Sequence, residues 1–363
     1  MNQPVTAFDE AMMQHCLDLA RQGLGKTAPN PVVGAVIVNQ GKIIGEGFHP
    51  GPGQPHAEVF ALREAGENAR GATVYVSLEP CSHYGRTPPC ADALIKAKVA
   101  KVVVGMVDPN PLVAGQGLEK LKNAGIEVVV GVEEEACRRL NEAFIHRMIY
   151  QKPFGILKYA MTLDGKIATT SGHSAWVTSR ESRHHVHQLR ASCDAVVVGG
   201  KTVRQDNPYL TTHQVADHNP LRVVMSQSLD LPTDAHLWNI DQAPTLVITE
   251  EGRKRPFQEV LRNKGVDVIE LNPLTPTEVM KTLYNRDLSA ILWECGGTLA
   301  AQAIAEGAVQ KIMAFIAPKI IGGKLAPSPV GDLGLLNMNE AIPLTRVELY
   351  KFERDFLIEG YLS

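Results

Sequence analysis

The sequence predicts an α/β protein built as two three-layer domains, residues 1–150 and 151–363. Three observations carry that prediction. Short runs rich in β-branched residues alternate with amphipathic helical segments along most of the chain, the pattern of strands covered by helices. Gln151-Lys152-Pro153 interrupts the alternation once, because proline ends the preceding helix and the rhythm restarts after it. The length of 363 residues, with 44% apolar and 21% charged, suits two ordinary globular domains rather than a disordered chain.

The elements follow in order. From Asp9 to about Gln22, Met12, Met13, Cys16, Leu17, Leu19 and Ala20 share one face of a helix. After the loop Thr27-Ala28-Pro29-Asn30-Pro31, the runs 32–38 and 42–47 flank Asn39-Gln40-Gly41 and read as a β-hairpin. Residues 56–66 form a helix, 72–80 a strand, 90–98 a helix, 101–108 a strand, 114–125 a helix closed by Gly125, and 126–132 a strand. A last helix spans Glu133 to about Tyr150, with acidic residues in its first turn to suit the helix dipole. Beyond the boundary, strand-like runs occupy 154–161, 194–200, 221–226, 244–250, 266–271, 289–297 and 311–318, with helices between several of them. No short-period repeat or low-complexity tract interrupts either half.

Charge and cysteine content narrow the functional classes. Lys plus Arg total 36 against 39 Asp plus Glu, a net charge of −3, with no basic stripe for a nucleic-acid backbone. No apolar run approaches the roughly 18 residues that span a bilayer. The opening stretch MNQPVTAFDEAMMQHC lacks the basic flank and apolar core of a secretory signal, so a cytoplasmic protein with reduced thiols is expected. Six cysteines are then not three disulfides; Cys16, Cys137, Cys193 and Cys295 read as small buried hydrophobes.

The most informative residues are His56-Ala57-Glu58 together with Pro80-Cys81 and Cys90. One imidazole and two thiolates suit Zn²⁺, one ion per chain, and leave a fourth tetrahedral position for water. Glu58 follows His56 by two positions at a helix start, so its carboxylate can lie beside the metal without ligating it. There it can take a proton from water and return it to a leaving amine. His-x-Glu followed by Pro-Cys and a second Cys is the signature of zinc deaminases, with one departure. Eight residues, SHYGRTPP, separate Cys81 from Cys90 where two are usual, so the intervening loop must leave the metal and return. That loop carries His83 and Arg86. A closed structural zinc knot is the competing arrangement; it needs a fourth protein ligand, which His49 or His83 could supply, and it gives Glu58 no purpose.

GKTAPNPVVGAVIV, GFHPGPGQPHAE and EPCSHYGRTPPC together resemble the N-terminal, cytidine-deaminase-like domain of the bifunctional riboflavin-biosynthesis deaminase/reductase family. The long Cys-to-Cys loop is that family's own pattern, and the resemblance covers most of residues 7–150. It implies hydrolytic deamination of 2,5-diamino-6-(5-phosphoribosylamino)pyrimidin-4(3H)-one. It further implies that Asn30, His49, His83 and Arg86 contact this small phosphorylated pyrimidine, with Arg86 suited to its phosphate.

The second half speaks less clearly by itself. The stretches DAVVVGGKTVRQDNP and WECGGTLAAQAIAEG each place a glycine pair between a buried strand and a helix, where free backbone N–H groups can meet a phosphate. Neither fits G-x-G-x-x-G, so this is not a Rossmann fingerprint, and a plain strand–helix connection explains the spacing equally well. KYAMTLDGKIA, SGHSAWVTS, DAVVVGGKTVRQDNPYL and WECGGTLA resemble the reductase domain of the same family, which is similar in fold to dihydrofolate reductase. The resemblance implies that NADPH reduces the substrate's ribosyl group to ribityl. It assigns Ala160, Trp176, Thr202, Asp206, Gly296, Gly297 and Thr298 to the cofactor and Lys158, Ser174, Arg190, Leu210 and Glu294 to the substrate.

Two departures stand out. Where the family has Leu-Thr-x-Arg, this chain has Leu210-Thr211-Thr212-His213, so either His213 takes the arginine's place at the substrate, with a titratable hold, or Arg183 or another cation does. Ser226-Gln227 stands where an Asp-Ser pair is common. Two other readings of the residues remain: a base deaminase acting on a polynucleotide with the C-terminal half as a binding module, and a zinc-stabilised scaffold without activity. The expected partners are the small phosphorylated pyrimidine and, in a homo-oligomer, further copies of the chain, with neither nucleic acid nor membrane.

Overall fold

A computed structural model describes residues 5–84, 88–111 and 113–362. The chain divides into two compact units, Met1–Gln151 and Lys152–Ser363. No helix among the described residues is long and apolar enough to cross a membrane.

In the first unit, helix α1 (Ala7–Arg21) opens with a capping box in which the Thr6 hydroxyl accepts from the Asp9 amide and the Asp9 carboxylate accepts from the Thr6 amide. Its apolar face buries Met13, Cys16, Leu17, Leu19 and Ala20. Strands β1 (Gly34–Asn39) and β2 (Lys42–Phe48) form the expected hairpin, with Gln40 and Gly41 both at positive φ, 50° and 74°. Then come α2 (Ala57–Ala65), β3 (Thr73–Leu78), α3 (Cys90–Ala97), β4 (Lys101–Met106), α4 (Gln116–Asn123) and β5 (Glu127–Val130). The sheet order is β2-β1-β3-β4-β5; β1 is antiparallel to both neighbours and β3, β4 and β5 are parallel. The two central strands β1 and β3 are almost wholly buried, as expected of apolar runs covered on both faces.

The single helix expected over 133–150 is two helices, α5 (Glu134–Leu140) and α6 (Glu142–Tyr150), broken at Asn141. The cause is a long-range contact. The buried Asn141 side chain leaves the helical path and pairs with the main chain of Val32, its Oδ1 accepting from Val32 N–H and its Nδ2 donating to Val32 C=O, both at 3.0 Å.

The second unit comprises β6 (Phe154–Thr162), α7 (Arg180–Ser192), β7 (Ala195–Gly199), α8 (Gly200–Asp206), β8 (Leu221–Ser226), β9 (Thr245–Glu250), α9 (Arg255–Asn263), β10 (Asp267–Leu271), α10 (Pro276–Tyr284), β11 (Ala290–Trp293), α11 (Gly297–Ala305) and β12 (Lys311–Ala317). The seven predicted strands are present. Two more, β13 (Leu344–Phe352) and β14 (Asp355–Leu362), were not read from the sequence; they add an antiparallel hairpin to β12. The nine-stranded order is β10-β9-β8-β7-β11-β6-β12-β14-β13. β11 is inserted late between β7 and β6, so the strand order reverses there, the kind of place where open α/β sheets bind ligands at their strand C-termini. All six cysteines are free, and Cys16, Cys137, Cys193 and Cys295 are buried.

Candidate active sites

In the first unit the metal-ligand set assembles from three elements. His56 is the N-cap of α2, Cys81 follows the Glu79-Pro80 exit from β3, and Cys90 opens α3. Helix α2 can lie close over β2 because a Cβ at Gly45 would stand 2.2 Å from the Ala61 carbonyl oxygen and one at Gly47 2.5 Å from the Phe60 side chain. The His56 Nδ1 atom is 3.6 Å from Cys81 Sγ and 3.3 Å from Cys90 Sγ, and among the described residues this trio is the assembled metal-binding group. The eight-residue spacing is accommodated because both ends of the loop are pinned at Cys81. The Cys90 amide donates to Cys81 Sγ at 3.2 Å and the Ala91 amide to the Cys81 carbonyl at 3.1 Å. The Cys90 contact, together with His56, draws the Cys81 thiol down to about 4, while the Cys90 thiol is driven up by its contact with Cys81 and by burial.

One nitrogen and two sulfur donors fit zinc. The closed-knot alternative lacks its fourth ligand in His49. That ring is buried, with Nδ1 3.2 Å from the Pro55 carbonyl oxygen and Nε2 3.1 Å from Asn30 Nδ2, so both nitrogens are engaged. Burial lowers its pKa, consistent with a neutral ring that donates from Nδ1 and accepts from Asn30 at Nε2. His49 therefore holds Asn30 rather than presenting a free edge of its own. Glu58 lies in the first turn of α2, only 3% exposed, and its Oε2 has no hydrogen-bond partner among the described residues. Burial, and after it the negative charge at Cys81, push the carboxyl up to about 7. His83 is exposed on the loop, and Arg86 lies outside the described residues.

In the second unit Lys158 (β6), Arg190 (α7) and Glu294 (after β11) meet in a largely buried triad. Glu294 Oε1 accepts from Arg190 Nε at 2.6 Å, and Oε2 accepts from an Arg190 terminal N–H and from Lys158 Nζ, both at 3.1 Å. Burial favours the neutral acid, but the two cations prevail and hold Glu294 far below the usual carboxylate range. A terminal nitrogen of Arg190 also donates to the Thr211 carbonyl and so carries the loop that bears Leu210 and His213. Leu210 is buried with φ 53°, whereas His213 is exposed and stacks on His187 with ring centroids 4.2 Å apart. The Arg183 guanidinium sits over the Trp176 ring at 4.4 Å and donates to the Thr178 carbonyl at 2.8 Å.

Of the residues expected at the cofactor, Thr202 and Asp206 lie in α8 and Trp176 is exposed in the loop before α7. Ser174 Oγ donates to Asp206 at 3.4 Å, and Ala160 lies half-buried within β6, two residues before its end. Gly199 and Gly296 are extended N-caps of α8 and α11 with no side-chain cap, so backbone N–H groups at those helix starts, near Thr202 and Thr298, remain for an anion. A Cβ at Gly297 would lie 2.6 Å from the Ser328 carbonyl oxygen. This cradle, lined by glycine and helix N-termini, fits a phosphate-bearing cofactor such as NADPH. Ser226 is buried with its hydroxyl against Gly200, while Gln227 is exposed and donates to Glu250 at 3.5 Å.

Sequence reasoning missed Asn141, Glu79 and His187, each of which acts through a partner remote in the chain or on the loop it supports, so no local pattern marks them.

Comparison with known proteins bears on both units. Residues 6–106 match the cytidine and deoxycytidylate deaminase zinc-binding region, and residues 153–358 match the RibD C-terminal domain. A riboflavin biosynthesis protein RibD from Synechocystis is 60% identical over 354 residues, covering 98% of this chain and 96% of that protein. Among solved structures, RibD from Acinetobacter baumannii is 40% identical with a TM-score of 0.87, covering 98% of this chain and 99% of its own. A diaminohydroxyphosphoribosylaminopyrimidine deaminase/5-amino-6-(5-phosphoribosylamino)uracil reductase from Thermotoga maritima is 36% identical, also with a TM-score of 0.87, over the same shares of the two chains. With its zinc-ligand trio and its reductase fold in place, the chain belongs to the bifunctional riboflavin-biosynthesis deaminase/reductase family.

Proposed function

We propose that residues 1–150 remove an exocyclic amino group from 2,5-diamino-6-(5-phosphoribosylamino)pyrimidin-4(3H)-one by hydrolysis, and that residues 151–363 then reduce the ribosyl group of the product to ribityl. The observation that carries the first half is Glu58, a buried carboxyl with one oxygen unpartnered among the described residues, beside the His56–Cys81–Cys90 set. Zinc, when bound, supplies the Lewis acidity that makes water a nucleophile at neutral pH. Glu58 Oε2 takes a proton from the attacking water and returns one to the departing amine as ammonia. With Asn30 Nδ2 given to His49, the Asn30 carbonyl oxygen is left to accept from the pyrimidine amino edge. His83 and Arg86 serve the sugar and phosphate.

In the second half NADPH, when bound, supplies the reducing equivalent. Glu294 fixes the Lys158 and Arg190 side chains, whose remaining N–H groups hold the opened sugar and its phosphate together with Ser174 and the Leu210–His213 loop. Ala160, Trp176, Thr202 and Asp206 line the nicotinamide and ribose, and Gly296, Gly297 and Thr298 receive the phosphates. A cytoplasmic setting agrees with six free cysteines. Neither a polynucleotide deaminase nor an inert scaffold accounts for family matches in both halves.

Coupled turnover tests the proposal. Purified protein should carry one zinc per chain, release ammonia from the diaminopyrimidine, and oxidise NADPH only after that release. NADPH oxidation with the undeaminated pyrimidine at the same rate would refute the order, and ammonia release by metal-free protein would refute the site.

A further inference from the structure

Glu79 stands two residues before the ligand Cys81, yet no part of the deamination chemistry uses it. It is 5% exposed, and its carboxylate accepts four backbone N–H groups from one distant segment. Oε2 accepts from Asp108 at 3.1 Å and Gly115 at 2.9 Å; Oε1 accepts from Gly117 at 2.9 Å and Leu118 at 3.3 Å. The Gly115 N-cap of α4 offers no side-chain cap of its own, so Glu79, at the end of the neighbouring strand β3, caps that helix with a charge of the favourable sign. The fit is close, since a Cβ at Gly117 would stand 2.0 Å from the Pro80 carbonyl oxygen, on the peptide that leads into Cys81. Farther along, Lys120 of α4 pairs at 2.5 Å with Asp92 of α3, the helix that Cys90 opens. At the near end, Asp108 lies within electrostatic reach of Cys81 and His83.

We propose that Glu79 is a positioning residue of the deaminase, whose carboxylate locks the Cys81 arm of the metal site and the Asp108–Leu118 segment into one piece. This rests on the deaminase assignment of the site. Metal held at Cys81 then steadies that segment, and the segment in turn steadies the metal, because a coupling free energy is reciprocal. Glu79→Gln tests this with little change of volume. An amide nitrogen in place of one oxygen turns two N–H donors toward two of the four backbone N–H groups.

In the full chain the variant should lose zinc to a chelator about 10- to 100-fold faster than wild type. Its deaminase kcat/KM should fall by a similar factor, while reduction of already deaminated substrate is unchanged. Wild-type zinc retention and wild-type deamination would overturn the proposal. For a variant that does not fold, amide hydrogen exchange of the wild-type chain decides. Stripping the zinc should speed exchange at Asp108, Gly115, Gly117 and Leu118 about tenfold or more, beyond any change in α1. Equal exchange with and without metal would overturn the proposal. Metal release and amide exchange involve no pyrimidine, so their outcome is separate from whether the substrate is correctly assigned.

Discussion

Replacing Glu58 by glutamine should separate its catalytic role from its structural cost. The side chain is buried, and its pKa rises from an ordinary 4.5 to about 7, first through burial and then through the Cys81 charge. At about 1.4 kcal/mol per pH unit that displacement amounts to roughly 3 kcal/mol. The folded metal-free chain holds the proton more tightly than the unfolded chain. Its stability is therefore complete below about pH 4.5 and falls by roughly that amount as pH rises toward 7. Glutamine cannot ionise. Metal-free wild type and metal-free Glu58→Gln should thus unfold at similar denaturant concentrations near pH 4.5, with the variant about 3 kcal/mol the more stable at pH 8. In the zinc-loaded chain the same substitution should lower kcat for ammonia release by about 10²- to 10⁴-fold, the usual worth of a positioned proton carrier. NADPH oxidation with deaminated substrate should be unaffected. Ammonia release within tenfold of wild type would refute the role of Glu58, and equal stability of the two metal-free chains at pH 8 would refute the electrostatic account.

Three further outcomes are expected in the second unit. Glu294→Gln leaves Lys158 and Arg190 side by side without a counter-charge, and should destabilise the unit by about 3–5 kcal/mol in denaturant titration. Because the wild-type carboxyl is held far below its ordinary value, the stability it contributes is complete above about pH 4.5 and is lost only as pH falls through that depressed value. Arg222→Met removes a wholly buried guanidinium that donates to the carbonyls of Tyr209, Leu237, Asn239 and Ala243 and to the Thr245 hydroxyl. With those acceptors stranded, the same measurement should show a loss of about 3 kcal/mol or more. Gly297→Ala drives a methyl group against the Ser328 carbonyl oxygen, 2.6 Å away, at the start of α11. The KM for NADPH should rise at least tenfold, with deamination unchanged.

The alternation of strands and helices was legible because nearly every central strand is an uninterrupted apolar run, buried on both faces, between turn residues. The hairpin at 34–48 was legible for a different reason: Gln40-Gly41 supplies two consecutive left-handed residues, which two-residue hairpins demand. The continuous helix at 133–150 was misjudged because nothing near Asn141 betrays that its amide is claimed by Val32, 109 residues away. β13 and β14 escaped notice because β13 is an edge strand with most of its side chains exposed, carrying Arg346, Glu348 and Lys351, so no apolar run marks it.

The same division runs through the sites. Gly200 and Glu294 come immediately after buried strands and Cys81 three residues after one, where the chain turns into a helix or loop; a motif can be recognised there because strand and turn are contiguous. The groups that make those motifs work are not contiguous with them. Arg190 reaches Glu294 across 104 residues and Lys158 across 136, and the amides that fill the Glu79 carboxylate lie 29 to 39 residues on. Glu294 keeps its charge because the two remote cations outweigh the effect of its burial, and the Glu79 carboxylate is filled by four backbone N–H groups. Local sequence therefore reveals which residues carry the chemistry, and the tertiary fold sets the charge state and orientation in which they carry it. His213 illustrates the point. From sequence it is a weaker replacement for an arginine; in the fold it stacks on His187 and both rings feel Arg190 and Glu294, so its protonation is tied to that whole cluster rather than to the one position it occupies.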